Sequence, residues 1–133
     1  TRLLAVTGVQ TCALPICDTS LSQYLGREVS PDEAVGECEE LYRSTGTEVL
    51  CTLGGDGAVF AGEEGVYRVY SPRVTVRGFT GAGDTVLAVF IYRRFIKGDG
   101  CYEALRRANA AAAIKVQLPS TEMPTKEMLD GII

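Results

Sequence analysis

The chain has no histidine. Its absence excludes Ser-His-Asp and Cys-His relays and every histidine-ligated metal centre. No run of 18 apolar residues marks a membrane span. Lys/Arg runs are also absent and the net charge is -4, which argues against nucleic acid as the main partner. The pairs Arg93-Arg94 and Arg106-Arg107 read as solvated helix faces. A dinucleotide fingerprint is missing, because Val86 stands where Gly-x-Gly-x-x-Gly needs its last glycine after Gly81 and Gly83. Nor does any Gly-Lys-Ser/Thr follow a glycine at phosphate-loop spacing. The five cysteines show no paired metal-ligand spacing, and their scatter predicts reduced thiols in a cytoplasmic protein, with Cys38, Cys51 and Cys101 as small core residues.

What is present predicts a soluble α/β fold. At 133 residues, 46% hydrophobic and 23% charged, the chain can bury one core, and no repeat, linker or second domain breaks it. Ser30-Pro31-Asp32-Glu33 reads as an N-cap, a proline at the first helical position and a capping-box glutamate. Ala34, Val35, Cys38, Leu41 and Tyr42 give that helix its core face, and Gly46 its stop. Glu48 to Leu53 and Ala58 to Ala61 read as strands around Gly54-Gly55-Asp56-Gly57. After a turn at Glu63-Glu64-Gly65, Val66 to Tyr70 alternates as a third strand, forming an antiparallel edge. Val74-Thr75-Val76 reads as a further strand leading into a long apolar helix, Thr85 to Ile96. Gly98-Asp99-Gly100 interrupts, and Tyr102 to Val116 resumes as a helix with Leu105, Ala108, Ala112 and Val116 on one stripe. Thr125 reads as the N-cap of a last short helix through Leu129.

Thr80-Gly81-Ala82-Gly83-Asp84-Thr85 carries the most chemistry. Glycines at 81 and 83 let backbone approach a ligand closely, and a helix starting there offers unpaired N–H groups and a positive dipole end to an anion. Asp84 repels an anion and needs another reason to be present, which a general base supplies.

This run resembles the Gly-Ala-Gly-Asp signature of the ribokinase-like carbohydrate kinases, the PfkB family, and the similarity extends from about Leu21 to the C-terminus. The resemblance implies the C-terminal part of a ribokinase-like doubly wound sheet with an antiparallel edge. It implies ATP-dependent phosphorylation of a sugar or sugar-phosphate hydroxyl, with Mg2+ as the accompanying ion. Asp84 is then the base, and the amides of Gly81, Ala82 and Gly83 hold the transferring phosphoryl group. Thr52-Leu53-Gly54-Gly55-Asp56-Gly57 resembles the family's nucleotide-phosphate segment, making Thr52, Gly54 and Gly57 candidate ATP neighbours. The Ala108-Asn109-Ala110 run resembles the helix that flanks adenine, with Asn109 at the base edge. An alanine-rich packed helix is the alternative there. Leu25 to Glu28 and Gly65 to Arg68 look most like the 1-phosphofructokinase and tagatose-6-phosphate kinase types, while Asn109 and its alanines look equally like ribokinase. The complete protein is expected to bind adenine nucleotide and a sugar substrate, with no nucleic-acid or membrane partner; a homodimer is among the expectations.

Val6 to Ile16 resembles the translation of a sequencing-library adapter, so residues 1–16 are read as a non-native segment outside the fold and residues 17–133 as the nucleotide-binding part of a kinase domain. Family members are much longer and carry their sugar site upstream, so this chain is expected to be a fragment. The family's Asn-x-x-Glu element, which organises magnesium and phosphate, falls on Cys17 and Ser20 here. Neither residue suits a hard cation, and no metal ligand is assigned. A non-catalytic nucleotide-binding or regulatory remnant is therefore the competing reading.

Overall fold

Ser30 sets where the first long helix begins. In the computed structural model, which describes residues 14–133, its hydroxyl accepts from the Glu33 N–H at 3.2 Å and the Glu33 carboxylate accepts from the Ser30 N–H at 3.1 Å. This is the capping box its sequence predicts, and helix α2 runs from Pro31–Thr45 with Gly46 as its C-cap.

The described residues form two compact units, one ending at Arg68 and one comprising Val69–Ile133. The first contains strand β1 (Leu14–Cys17), helix α1 (Asp18–Leu25), α2, strand β2 (Val49–Thr52), a 3₁₀ turn (Gly54–Asp56), strand β3 (Ala58–Gly62) and strand β4 (Gly65–Val69), whose last residue opens the second unit. Sheet order is β1-β2-β3-β4. β1 runs parallel to β2, from Leu14 opposite Val49 to Cys17 opposite Thr52. β2 and β3 are antiparallel, with Val49 opposite Ala61 and Thr52 opposite Ala58. The antiparallel edge is thus present, and the fold is mixed α/β.

Apolar periodicity on α2 explains the packing of this unit. Ala34, Cys38 and Leu41, spaced three and four apart, are buried against Val49, Cys51, Val59 and Ala61 of the sheet. Val35 and Tyr42 pack at the margin. Full burial of a leucine such as Leu41 is worth about 1.5–3 kcal/mol. A hydrogen bond with Cys38, followed by burial, pushes the Cys51 thiol well above its ordinary range. Cys38, Cys51 and Cys101 form no disulfide among the described residues and are fully buried, as expected of core residues.

The second unit pairs helix α3 (Ala82–Ile91), which continues into a π turn (Tyr92–Ile96), with helix α4 (Cys101–Lys115). Val86, Val89 and Phe90 of α3 are buried, as are Ala104, Leu105, Ala108, Ala111 and Ala112 of α4. The alanines let the two helices approach closely, which favours the packed-helix reading of that run. Asp99, in the break between the helices, accepts from Arg93 at 2.6 and 2.9 Å.

Three expectations are corrected. Leu14–Ile16, set outside the fold with the rest of the segment before Cys17, supply most of β1, and Ile16 is buried; residues 1–13 lie outside the described residues. Backbone pairing is indifferent to a strand's origin, so an extended apolar stretch can occupy the free edge of β2. Val74-Thr75-Val76 forms no strand. Just beyond it, the N–H groups of Arg77 and Gly78 donate to the Val116 carbonyl at 2.7 and 3.2 Å, so the chain is tied to a helix end instead of a sheet edge. Thr125 does accept from the Met128 N–H at 3.3 Å, yet the residues after it make successive turns, too short a stretch to repay helix nucleation.

Candidate functional site

Gly81 determines how α3 begins. Its φ of 86° and ψ of 0° put it in the left-handed region, which an L side chain enters only at a cost. The chain thereby turns sharply from Thr80 into the first helical residue, Ala82. Gly81's carbonyl then accepts twice from Thr85, from its N–H at 2.9 Å and its hydroxyl at 2.8 Å, which fixes the first turn.

The donors left over define the site. Ala82 spends its N–H on the Phe79 carbonyl at 3.2 Å, whereas the N–H groups of Gly81, Gly83 and Asp84 make no hydrogen bond among the described residues. The available amides are therefore not the Gly81–Ala82–Gly83 trio of the sequence reading; Asp84 replaces Ala82. No side chain caps the helix. Free donors and the positive dipole end suit an anion of phosphate charge. Asp84 lies in the first turn, exposed, and its carboxylate has no hydrogen-bond or ion-pair partner among the described residues. A carboxylate so placed can take a proton from a hydroxyl brought against it.

Sequence reading missed Lys115. It is 1% exposed, and its Cε lies 3.3 Å from where a Gly81 β-carbon would stand, directly under the turn that shapes the site. Periodicity held the signal, because Lys115 continues the buried row Ala104, Ala108 and Ala111 at spacings of four, three and four.

Asn109 is also buried, but its amide is engaged at both ends. Nδ2 donates to the Tyr70 carbonyl at 3.1 Å, and Oδ1 accepts from the Ser71 hydroxyl at 3.0 Å. It ties the chain after β4 to α4 through these two hydrogen bonds.

The other candidates lie in the first unit. Thr52 ends β2 beside Cys17, its register partner on parallel β1, and the 3₁₀ turn follows at once. Gly57, at φ 98° and ψ -138°, closes that turn in a region open essentially to glycine, and its carbonyl accepts from the Leu53 N–H at 2.8 Å. Gly54 and Gly55 stay exposed with open space where a side chain would be. The structure thus brings together Thr52, Gly54 and Gly57 with Cys17, at the carboxyl ends of two parallel strands, where ligands of such sheets bind. Cys17 Sγ and Ser20 Oγ are 3.2 Å apart, and Sγ accepts from the Ser20 N–H at 3.4 Å. A thiol and a hydroxyl committed to each other do not fit magnesium, which takes hard, charged oxygen ligands.

Residues 18–128 match the pfkB family carbohydrate kinases. A 1-phosphofructokinase of Borreliella burgdorferi is 30% identical over 93 residues, covering 67% of this chain and 30% of that protein. Among solved structures, Escherichia coli phosphofructokinase-2 in complex with potassium superposes with a TM-score of 0.78 at 22% identity, covering 90% of this chain and 39% of that one. Ribokinase from Thermotoga maritima gives 0.71 at 19% identity, covering 90% and 42%. Aminoimidazole riboside kinase from Salmonella enterica gives 0.66 at 27% identity, covering 88% and 40%. The chain therefore spans well under half the length of these relatives. By the match over residues 18–128, the chain belongs to the pfkB family of carbohydrate kinases.

Proposed function

We propose that this chain is the nucleotide-phosphate and catalytic-base portion of a cytoplasmic kinase that transfers a phosphoryl group from ATP to a hydroxyl of a sugar or sugar phosphate. One observation carries the reading: α3 opens on three unbonded amides, and Asp84 stands unpartnered in the same turn. The amides of Gly81, Gly83 and Asp84 hold the phosphoryl oxygens as charge builds, a type of stabilisation that fixed donors supply without reorganising. Asp84 removes the proton from the attacking hydroxyl. In the first unit, taken by itself, Thr52, Gly54 and Gly57 are nucleotide-phosphate neighbours, at a turn where Gly54 and Gly55 leave open space. Magnesium accompanies ATP in this chemistry and neutralises phosphate charge. Because Cys17 and Ser20 do not fit it, no step here is assigned to a protein-held ion.

That misfit also favours a second reading for the chain as it stands, a nucleotide-binding remnant without turnover. In both readings residues 1–16 are proposed to be non-native in origin, although Leu14–Ile16 occupy a strand position.

The Asp84 assignment is tested in the full-length kinase. Asp84→Asn keeps shape and removes the base, so turnover falls by roughly 10²–10⁴-fold. Near-normal turnover in steady-state kinetics removes Asp84 from the role.

A further inference from the structure

Lys115 is the most deeply buried charged side chain among the described residues, at 1% exposed. An ammonium has three donors to satisfy. One is spent on the Ser120 carbonyl, at 3.4 Å, near the limit of a hydrogen bond, and no carboxylate is within ion-pair reach among the described residues. As the last residue of α4, Lys115 also meets the negative end of that helix dipole, a fraction of a unit charge. These partners compensate a buried cation incompletely, and an apolar side chain of similar length would pack there without the desolvation cost. An anion bound close by would complete the balance.

Its position indicates where. The end of the lysine stem lies 3.3 Å from where a Gly81 β-carbon would stand, beside the residue whose left-handed turn opens α3. We propose that Lys115 is a positioning residue for phosphate: it supports the Gly81 turn from beneath and supplies a standing positive charge that an anion bound by the α3 amides completes. The charge acts through the loop, in a water-poor setting where an electrostatic interaction is less screened than at the surface. This inference rests on the proposed phosphate site and adds a residue to it. Asp84 is the reason for a full charge as well as amides. A site that keeps an unpaired carboxylate beside a phosphate must offset their repulsion, and three N–H dipoles alone do so weakly.

The test uses the chain with ATP as the probe, since ATP carries the transferring phosphoryl group assigned to the α3 amides. Affinity is measured by calorimetry across a series of sodium chloride concentrations, and stability by urea unfolding. Lys115→Met keeps the length and removes the charge; Lys115→Gln also keeps a donor for the Ser120 carbonyl. Both variants are expected to bind ATP about tenfold or more weakly, as when a charged partner is lost. Both should also show a shallower salt dependence, and the Met variant should resist urea at least as well as the parent. Should the Met variant fail to fold, the Gln variant carries the comparison. Unchanged ATP affinity, or weakened affinity with unchanged salt dependence, overturns the proposal and leaves Lys115 as packing. A folded parent chain that binds no ATP defeats the phosphate site itself, a failure seen before any variant is made.

Discussion

Gly81 shows how a single backbone angle can set the start of a helix. A β-carbon there would force an L residue to φ +86° and meet Lys115 Cε at 3.3 Å. Gly81→Ala should therefore cost about 1–2 kcal/mol in urea unfolding, the range for holding an L residue in the left-handed region. It should weaken ATP binding as well, since the unbonded amides move with the turn. An alanine variant as stable as the parent would mean that the turn relaxes freely and does not shape the site. The turn at Gly81 was legible because glycines announce themselves locally. The hydrogen-bond partners of Asn109 and the burial of Lys115 were not. Whether a polar side chain on a helix faces a ligand or a neighbouring carbonyl depends on which segment packs there, and Tyr70, Ser71 and Ser120 are brought to α4 only by the fold.

Elements with their own start and stop signals were the easiest to read. Ser30, Pro31, Glu33 and Gly46 fix α2 by local hydrogen bonds, and the glycine-rich turn fixes the β2–β3 hairpin. Val74-Thr75-Val76 alternates equally well but lacks a partner edge, which no local pattern reveals. The beginning of α4 carries a testable charge cluster. Glu103 accepts from Arg106 at 2.7 and 3.0 Å and from Arg107 at 2.9 Å, which holds its carboxyl down at about 2 against an ordinary 4.5. Arg93 likewise holds Asp99 below its usual range. Both carboxyls bind protons less readily when folded, so their stabilisation is present at neutral pH and is lost on acidification; for Glu103 it is complete above about 4.5 and lost as pH falls toward about 2. Urea midpoints followed from pH 7 to pH 2 should fall more gently on the acid side for Glu103→Gln than for the parent. Superimposable pH profiles would show the cluster to be energetically silent.

For the molecule as a whole, fold class and the strongest motif were readable from the chain, while the extent of function was not. A pfkB domain was legible at Gly81 to Asp84, and residues 18–128 match that family. The share that Leu14–Ile16 take in the sheet was not legible, because pairing to β2 is a backbone property that composition does not record. Coverage of 39% of a solved relative gives the proposal its sharpest consequence: phosphate-binding groups are at hand, and a substrate hydroxyl has no identified holder. Positioning alone can account for about 7–11 kcal/mol of a catalysed step, so binding and chemistry should separate in this chain.

Titration of the purified, folded chain with Mg-ATP, run beside an assay for sugar-dependent ADP release, tests that separation most directly. The account predicts measurable nucleotide binding that Asp84→Asn leaves intact, with no sugar-dependent release. Absence of nucleotide binding would contradict the phosphate site at α3, and sugar-dependent ADP release would contradict the separation of binding from turnover.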